Sequence, residues 1–254
     1  MFSGKTALIT GCNRGIGKAI LTNLLSKNAK VICCVRKIDN DFKNSIKLIK
    51  NKNNIIKILE FDFNDSEKIK KEISILYKEN ISLDILINNA GIASGSILEM
   101  TSIDSLKNTF EINFFSQIKI TQLLIKLLKK SNSSSIINIG SISGLLSERG
   151  TLSYATSKSA FMHATKIIAK ELSIYNIRVN AIAPNVTKTD MLRKMDKKSI
   201  KKMLKRTSRD KPYSVNDVAK VVMFLASEKS KNINGKILRV EKFLKNDEKK
   251  YKKN

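Results

Sequence analysis

Short runs rich in β-branched residues alternate with longer helical patterns along the whole chain. Seven runs have the length of strands, and they lie at 5–10, 31–35, 55–61, 83–88, 135–140, 178–183 and 237–240. The helical patterns between them open near Gly15, Asp41, Ser66, Ser102, Leu152 and Val215. This order predicts an α/β protein with a doubly wound, seven-stranded parallel sheet and helices on both faces.

The domain organisation follows from length and from what interrupts the alternation. The 254 residues contain no linker-like stretch, which predicts one domain at 1–245 followed by a basic C-terminal tail at 246–254. The basic, poorly patterned stretch at 187–213 predicts a flap over the functional site. Its apolar residues suit either a channel for an apolar chain or a short packed helix, and they are Met191, Leu192, Met195, Met203 and Leu204.

Charge is the most unusual bulk property, because 48 Lys and Arg against 22 Asp and Glu give a formal net charge of +26. A nucleic-acid surface would gather these charges, whereas here they are spread over every helical pattern. We therefore expect no nucleic-acid partner, and we attribute the bias towards Lys, Asn and Ile to an AT-rich genome.

The apolar runs and the cysteines limit the choice of compartment. The longest apolar runs fall far short of the roughly 20 residues that a membrane-spanning helix needs, so no membrane association is expected. The first predicted strand starts at once, without a leader pattern, which predicts a cytoplasmic protein. Cys12, Cys33 and Cys34 lack metal-ligand spacing, so they read as reduced core residues and no metal site is expected.

A glycine-rich turn follows the first predicted strand and opens the first helix. Gly11, Gly15 and Gly17 lack side chains, which allows a tight turn and close approach of the backbone to a pyrophosphate at the helix N-terminus. Their spacing, TGxxxGxG, differs from the GxGxxG of other dinucleotide-binding turns.

Three further motifs follow in order. An NNAG sequence at 88–91 ends the fourth predicted strand, Tyr154 and Lys158 lie four residues apart on a later helix, and Ser141 precedes Tyr154 by thirteen residues. The ordered set resembles the short-chain dehydrogenase/reductase family over essentially the whole chain. The resemblance implies a Rossmann fold and a nicotinamide cofactor held by Gly11, Asn13, Arg14, Gly15, Ile16, Gly17, Arg36, Asp62, Phe63, Asn89, Ala90, Gly91, Tyr154, Lys158, Pro184, Val186 and Thr189.

The end of the second strand bears on which cofactor binds. A carboxylate there would bond the ribose 2′-hydroxyl of NAD, whereas a 2′-phosphate requires a cation. This chain has Val35 followed by Arg36, and the resemblance places Arg14 near the same phosphate. NADPH is therefore expected, although Arg36 on its own also fits an ordinary solvated charge.

Four residues are expected to carry the chemistry. Tyr154 and Lys158 face the same side of one helix, and the ammonium is expected to lower the pKa of Tyr154 so that it can protonate a ketone oxygen. Ser141, after the fifth strand, is expected to bond the substrate carbonyl. The resemblance implies that Asn113 holds a water linking Lys158 to solvent.

These features predict NADPH-dependent reduction of a ketone to a secondary alcohol. Within the family the pattern is most similar to reductases of 3-oxoacyl chains on acyl carrier protein, enzymes of fatty acid synthesis, and Lys129 and Lys130 could bind such an acidic partner. A sugar or other small carbonyl substrate stays open, whereas the intact Ser141, Tyr154 and Lys158 argue against a non-catalytic dinucleotide or nucleic-acid binder. Resemblance also implies a homo-oligomer, either a tetramer or a dimer.

Two departures from the family pattern stand near the expected pocket. Asn185 replaces the usual glycine after the sixth strand, which we expect to be mild because asparagine tolerates left-handed backbone angles. The sequence VEKF at 240–243 replaces a common Gly-Gly pair, so the family pattern predicts no structure for the floor of the substrate pocket or for the C-terminal tail.

Overall fold

A parallel sheet of seven strands forms the centre of the structure, a computed structural model that describes residues 2–49, 51–193, 200, 201, 204, 211–241, 243 and 244. The strands of the described residues are β1 (Thr6–Thr10), β2 (Lys30–Val35), β3 (Ile55–Glu60), β4 (Ile85–Asn88), β5 (Ser134–Ile139), β6 (Ile177–Ala183) and β7 (Ile237–Arg239). Their order is β3-β2-β1-β4-β5-β6-β7, and every pair is parallel. The predicted fold class is confirmed.

Helices connect the strands as the alternation predicted. They are α1 (Gly15–Leu25), α2 (Asn40–Lys47), α3 (Ser66–Lys78), α4 (Ile103–Phe110), α5 (Ser116–Leu128), α6 (Leu152–Leu172), α7 (Asp190–Arg193) and α8 (Val215–Leu225). A π-helical segment at Glu111–Phe115 joins α4 to α5 without a break. Such π-bulges are rare and often lie at functional sites.

Apolar residues of each strand point alternately to the two faces of the sheet, so both faces carry a core. Ile9 of β1 belongs to the cluster that packs under α1 and α8. Its neighbour Leu8 belongs to the cluster formed with α3 and α5 on the other face. Burial on both faces explains why the strands are nearly continuous apolar runs.

The reversal of strand order places the functional edge. Strand β1 lies between β2 and β4. From β1 the chain continues to β2 and β3 on one side of the sheet, and it then returns to β4 on the other side of β1. Ligands of open α/β sheets bind in the crevice that this reversal opens at the carboxyl ends of the strands. Gly11 follows β1 and Asn89 follows β4 at that crevice.

One predicted strand boundary differs from the structure, and some predicted segments lie outside the described residues. Strand β4 begins at Ile85 rather than at 83, because the backbone N–H of Leu83 donates to Leu127 O of α5 instead of to a strand. Most of the predicted flap and the whole tail at 246–254 lie outside the described residues. Within the described ranges no helix combines the length and the apolar character needed to cross a membrane.

Candidate active site

The glycine-rich turn packs directly against the segment that follows β4. Gly11 has a φ of +66°, and a Cβ atom there would lie 2.9 Å from Ala90 Cα. A Cβ atom at Gly17 would lie 2.2 Å from Gly11 O and 2.5 Å from Asn89 Nδ2. Asn89 Nδ2 donates to both Thr10 O and Gly11 O, at 2.9 Å each. The two segments therefore form one closely packed unit that only glycine permits.

The N-terminus of α1 is open to an anion. Its N-cap, Arg14, has an extended backbone and makes no side-chain capping bond, and the first turn holds no acidic residue. The N–H groups of this turn and the positive end of the helix dipole suit a pyrophosphate. Thr189 faces this end, because a Cβ atom at Gly15 would lie 3.6 Å from its Cγ2. Asn13 and Ile16 are half-buried in the same turn.

Arg36 and Arg14 are the two cations that are expected to bind the 2′-phosphate of NADPH. Val35 is buried at the end of β2, and Arg36 follows it with an exposed side chain. Arg14 is exposed as well, and neither guanidinium has an ion pair with any described residue. Both cations are thus free to pair with a phosphate.

Asp62 and Phe63 close the turn after β3. The exposed Asp62 carboxylate accepts a hydrogen bond from Asn64 N at 2.8 Å. Phe63 is buried and packs edge-on against Phe61, with ring centroids 5.2 Å apart. The expected contact of these residues with the cofactor stays a prediction.

Tyr154, Lys158 and Ser141 meet at the carboxyl edge of β5. Tyr154 lies in the first turn of α6, and Lys158 follows one turn later with only 4% of its surface exposed. Lys158 Nζ donates to Ile139 O, at the end of β5, at 2.8 Å. Ser141 is two residues further, and its hydroxyl accepts from Ser143 N at 3.2 Å and is near enough to Tyr154 to affect the pKa of the phenol.

The electrostatics of this group differ from the expectation. Burial raises the pKa of Tyr154, and the nearby Ser141 hydroxyl opposes that effect without reversing it. The expected net lowering of the pKa of Tyr154 is therefore wrong, because the loss of solvent dominates in the chain as described. Burial also lowers the pKa of Lys158 to about 8. Desolvation, which disfavours the charged form of either group, explains both directions.

Asn113 lies inside the π-helical segment and joins two other parts of the site. Its Oδ1 accepts from Ile92 N at 2.8 Å, and its Nδ2 donates to Ile92 O at 2.9 Å and to Ser157 Oγ at 3.0 Å. Both amide hydrogens are thus bound to protein, and the expected water link stays a prediction. A Cβ atom at Gly91 would lie 2.9 Å from Asn113 Oδ1 and 3.3 Å from Lys158 Nζ, so Gly91 keeps the space between them clear.

The segment after β6 forms the opposite wall. Pro184 O accepts from Ile142 N at 2.9 Å, which ties this segment to the Ser141 turn. Val186 is buried, and its carbonyl accepts from Tyr213 N at 2.8 Å. The expected contacts of Pro184, Val186 and Thr189 with the nicotinamide stay a prediction.

Residues 5–200 match the family model described as short chain dehydrogenase. The chain belongs to the short-chain dehydrogenase family. The resemblance identified from the motifs is confirmed.

Named relatives of this short-chain dehydrogenase are bacterial enzymes. It is 34% identical over 236 residues to 3-oxoacyl-[acyl-carrier-protein] reductase FabG of Buchnera aphidicola subsp. Schizaphis graminum, a match that covers 93% of this chain and 95% of that protein. It is 30% identical over 241 residues to the same-named reductase of Thermotoga maritima, covering 94% and 96%. The solved structure of ElxO with NADP bound is similar with a TM-score of 0.84 at 28% identity, covering 93% and 96%.

The departures of this short-chain dehydrogenase from the family pattern are linked to each other. Asn185 does not adopt the left-handed backbone that we invoked for it. Its Oδ1 instead accepts from Val186 N at 2.7 Å, and its Nδ2 donates to Glu241. Glu241 also pairs with Arg239 at 2.7 Å. A polar bridge thus connects the segment after β6 to the end of β7.

Two polar side chains of the short-chain dehydrogenase site escaped the sequence analysis. Ser157 Oγ accepts from Asn113 Nδ2 and donates to Tyr154 O at 2.8 Å. Gln117, fully buried in α5, bonds to Thr10 and to Ile112 O. The available signal was a polar residue at a position that helical spacing places on the buried side of a helix.

Proposed function

We propose that the chain is an NADPH-dependent reductase that converts the ketone of a 3-oxoacyl-[acyl-carrier-protein] to a secondary alcohol. The observation that carries the proposal is that Tyr154, Ser141 and the buried Lys158 meet at the carboxyl edge of β5, where Lys158 Nζ donates to Ile139 O at 2.8 Å. The names of the bacterial relatives support the substrate class.

The residues present fit NADPH. The crowded backbone at Gly11 and Gly17 and the uncapped N-terminus of α1 suit the pyrophosphate. Arg14 and Arg36, which have no ion pair among the described residues, suit the 2′-phosphate. ElxO, a similar structure, has NADP bound, which supports the choice of cofactor. NADPH supplies, when bound, the hydride that the carbonyl carbon accepts.

Tyr154 and Ser141 provide the other half of the reduction. Their hydroxyl groups both donate to the substrate carbonyl oxygen, which orients the ketone and stabilises the negative charge that develops on it. Tyr154 then transfers its proton to that oxygen and completes the alcohol. The phenol of Tyr154 carries its proton at neutral pH, and the positive charge of Lys158 offsets the weaker acidity that comes with the raised pKa.

Lys158 supplies the positive charge of the site. With a pKa of about 8, its amine is mostly protonated at neutral pH. On the same helix face as Tyr154, the ammonium is placed to stabilise the phenolate that remains after proton transfer and to hold the ribose of the nicotinamide. Asn113 donates to Ser157 on the same helix, and it is the fourth residue of the proposed catalytic group, with Ser141, Tyr154 and Lys158.

An apolar acyl chain suits the surroundings of these groups. Leu145 and Leu146 follow Ser141, Leu152 precedes Tyr154, and all three are exposed large apolar side chains. Exposed apolar residues gathered at a reactive site favour an apolar ligand. These exposed side chains favour a 3-oxoacyl chain over a sugar as the proposed substrate.

The expected carrier-protein surface lies away from Tyr154 of the same chain. Lys129 Nζ sits 3.2 Å from the centroid of the Tyr175 ring, and Lys130 donates to Asn80 at 2.6 Å. Both lysines precede β5, whereas Ser141 follows it, and six strand residues span roughly 20 Å. A carrier protein bound there would serve Tyr154 of a neighbouring subunit, which joins the proposed carrier partner to the proposed homo-oligomer.

The cytoplasmic location stays a prediction.

Arg36→Ala is expected to weaken NADPH binding roughly tenfold to a hundredfold and to leave NADH binding nearly unchanged. Only NADPH carries the phosphate that the guanidinium pairs with, and a charge-assisted hydrogen bond contributes about 1.5–3 kcal/mol. Fluorescence titration with both dinucleotides measures the two affinities. Lys37→Ala, the same loss of an exposed cation one residue further, is the matched control. Equal losses for both dinucleotides would show that Arg36 is an ordinary solvated charge.

Catalytic efficiency is expected to rise as a 3-oxoacyl thioester is lengthened, by up to ~0.8 kcal/mol for each newly buried CH₂. The carrier-protein form should outperform the free thioester, and this advantage should shrink in high salt and in the Lys129→Glu/Lys130→Glu variant. The Lys229→Glu/Lys231→Glu variant, with the same change of charge after α8, should keep it. Flat dependence on chain length without preference for the carrier form favours a small or sugar-like ketone instead.

A further inference from the structure

Gln117 is a fully buried polar residue near the start of α5. Its Oε1 accepts from Thr10 Oγ1 at 3.1 Å, and its Nε2 donates to Ile112 O at 3.1 Å. Burial of an amide is unfavourable unless its polar atoms find such partners. The two partners belong to different parts of the site, one at the end of β1 and the other in the π-helical segment.

The contact with Thr10 has a defined direction. Thr10 Oγ1 accepts from Asn89 N at 2.9 Å and from Ala90 N at 3.0 Å, so its own proton must go to a further acceptor. Gln117 Oε1 is closer than the alternative, Ile87 O at 3.5 Å. Gln117 therefore fixes the hydroxyl that holds the segment after β4 against the glycine-rich turn.

The contact with Ile112 O stabilises the geometry around Asn113. In this segment the N–H of Ser116 bonds to Glu111 O, five residues back, so the ordinary helical pairing of carbonyls is interrupted. Gln117 caps the next carbonyl with its side chain. Asn113, one residue on, reaches Ser157 of α6, which in turn donates to Tyr154 O.

We propose that Gln117 is a positioning residue that couples the dinucleotide-binding turn to the proton-transfer group. Hydrogen bonds link Thr10 to Gln117 and Gln117 to Ile112 O, the backbone leads on to Asn113, and Asn113 bonds to Ser157, which lies between Tyr154 and Lys158 in sequence. The inference rests on the proposed function, because the two parts that Gln117 joins are the proposed cofactor turn and the proposed proton donor. An apolar side chain of equal length would fill the same volume and lose the coupling.

Gln117→Met tests the proposal, with NADPH as the probe for binding and acetoacetyl-coenzyme A as the ketone. We expect the Kd for NADPH to rise and kcat to fall, each roughly threefold to tenfold, while the KM for the ketone stays nearly constant. The matched control is Thr165→Val, which removes a buried hydroxyl bonded to Asn138 and to Phe161 O at 2.9 Å each. This control should lower the melting temperature without changing either parameter.

A double-mutant cycle with Thr10→Val locates the effect. Because the residues share one hydrogen bond, the double variant should lose less NADPH affinity than the product of the two single losses. Strict additivity, or an affinity loss no larger than that of Thr165→Val, overturns the proposal. If Gln117→Met does not fold, Gln117→Glu, which keeps an oxygen towards Thr10 but loses the amide donor, replaces it. Its kcat should fall more than its NADPH affinity, and an unchanged kcat overturns the proposal.

The NADPH titration separates this inference from the proposed function. It needs no turnover, so a wild-type protein that binds NADPH but reduces no 3-oxoacyl thioester contradicts the proposed substrate and still leaves the coupling between Gln117 and Thr10 measurable. Conversely, if the wild-type protein reduces the 3-oxoacyl thioester and Gln117→Met changes neither the Kd for NADPH nor kcat, only the inference on Gln117 is contradicted.

Discussion

Tyr154→Phe is expected to lower kcat for ketone reduction about a thousandfold and to leave the Kd for NADPH nearly unchanged. The change removes the phenolic proton and keeps the ring, and general acid catalysis by a positioned group contributes roughly 10²–10⁴ to a rate. Ser141 would still orient the carbonyl, so the KM for the ketone should change little. Steady-state kinetics and a separate binding titration measure the two effects.

A second tyrosine provides the control for this variant. Tyr77 of α3 is partly exposed and donates a hydrogen bond to Leu123 O, away from the site. Tyr77→Phe removes the same hydroxyl group and should reduce stability slightly without lowering kcat. Turnover by Tyr154→Phe at the wild-type rate would refute the assignment of the proton donor.

Lys158→Met is expected to reduce both kcat and NADPH affinity, because one ammonium is proposed to stabilise the phenolate and to hold the ribose. We expect kcat to fall roughly a hundredfold or more, in the range of a lost general-acid contribution. Lys166→Met, an exposed lysine two turns along the same helix, is the matched control and should change neither. A change in only one of the two parameters would contradict the dual role.

The same variant has an opposite effect on stability. Burial holds the pKa of Lys158 at about 8 in the folded chain, against 10.5 for an exposed lysine. Below pH 8 the folded state bears the full cost of the buried charge, on the order of 3 kcal/mol. Between pH 8 and 10.5 only the folded state has released the proton, so wild-type stability should rise with pH. Lys158→Met should therefore unfold at higher denaturant concentration at pH 7, by a margin that disappears towards pH 10.5.

The order of elements could be predicted from the sequence because burial and capping leave local signals. Strands buried on both faces must be continuous apolar runs, as β1 and β5 are. Helix α8 begins where predicted because Ser214 and Asp217 form a capping box, and α3 begins after Asp65, whose side chain accepts from Lys68 N. The bounds of β4 depended on a contact with α5 that no local pattern carries.

The positions of site residues that follow from sequence spacing could be predicted, whereas properties that depend on burial could not. The four-residue interval of Tyr154 and Lys158 and the glycine spacing identified residues that the fold brings to one edge. The pKa of Tyr154 was predicted in the wrong direction, because spacing shows a neighbouring charge but not the loss of solvent. The π-helical segment and Gln117 were missed, because a five-residue hydrogen-bond step has no apolar period of its own.

Reduction of a 3-oxoacyl-[acyl-carrier-protein] by the purified chain tests the central claim most directly. We expect the NADPH absorbance to fall only when the ketone is present, with one secondary alcohol formed for each NADPH consumed, as measured by mass spectrometry. Tyr154→Phe should slow this consumption about a thousandfold under the same conditions. A chain that binds NADPH and oxidises none of it with any 3-oxoacyl thioester would contradict the account.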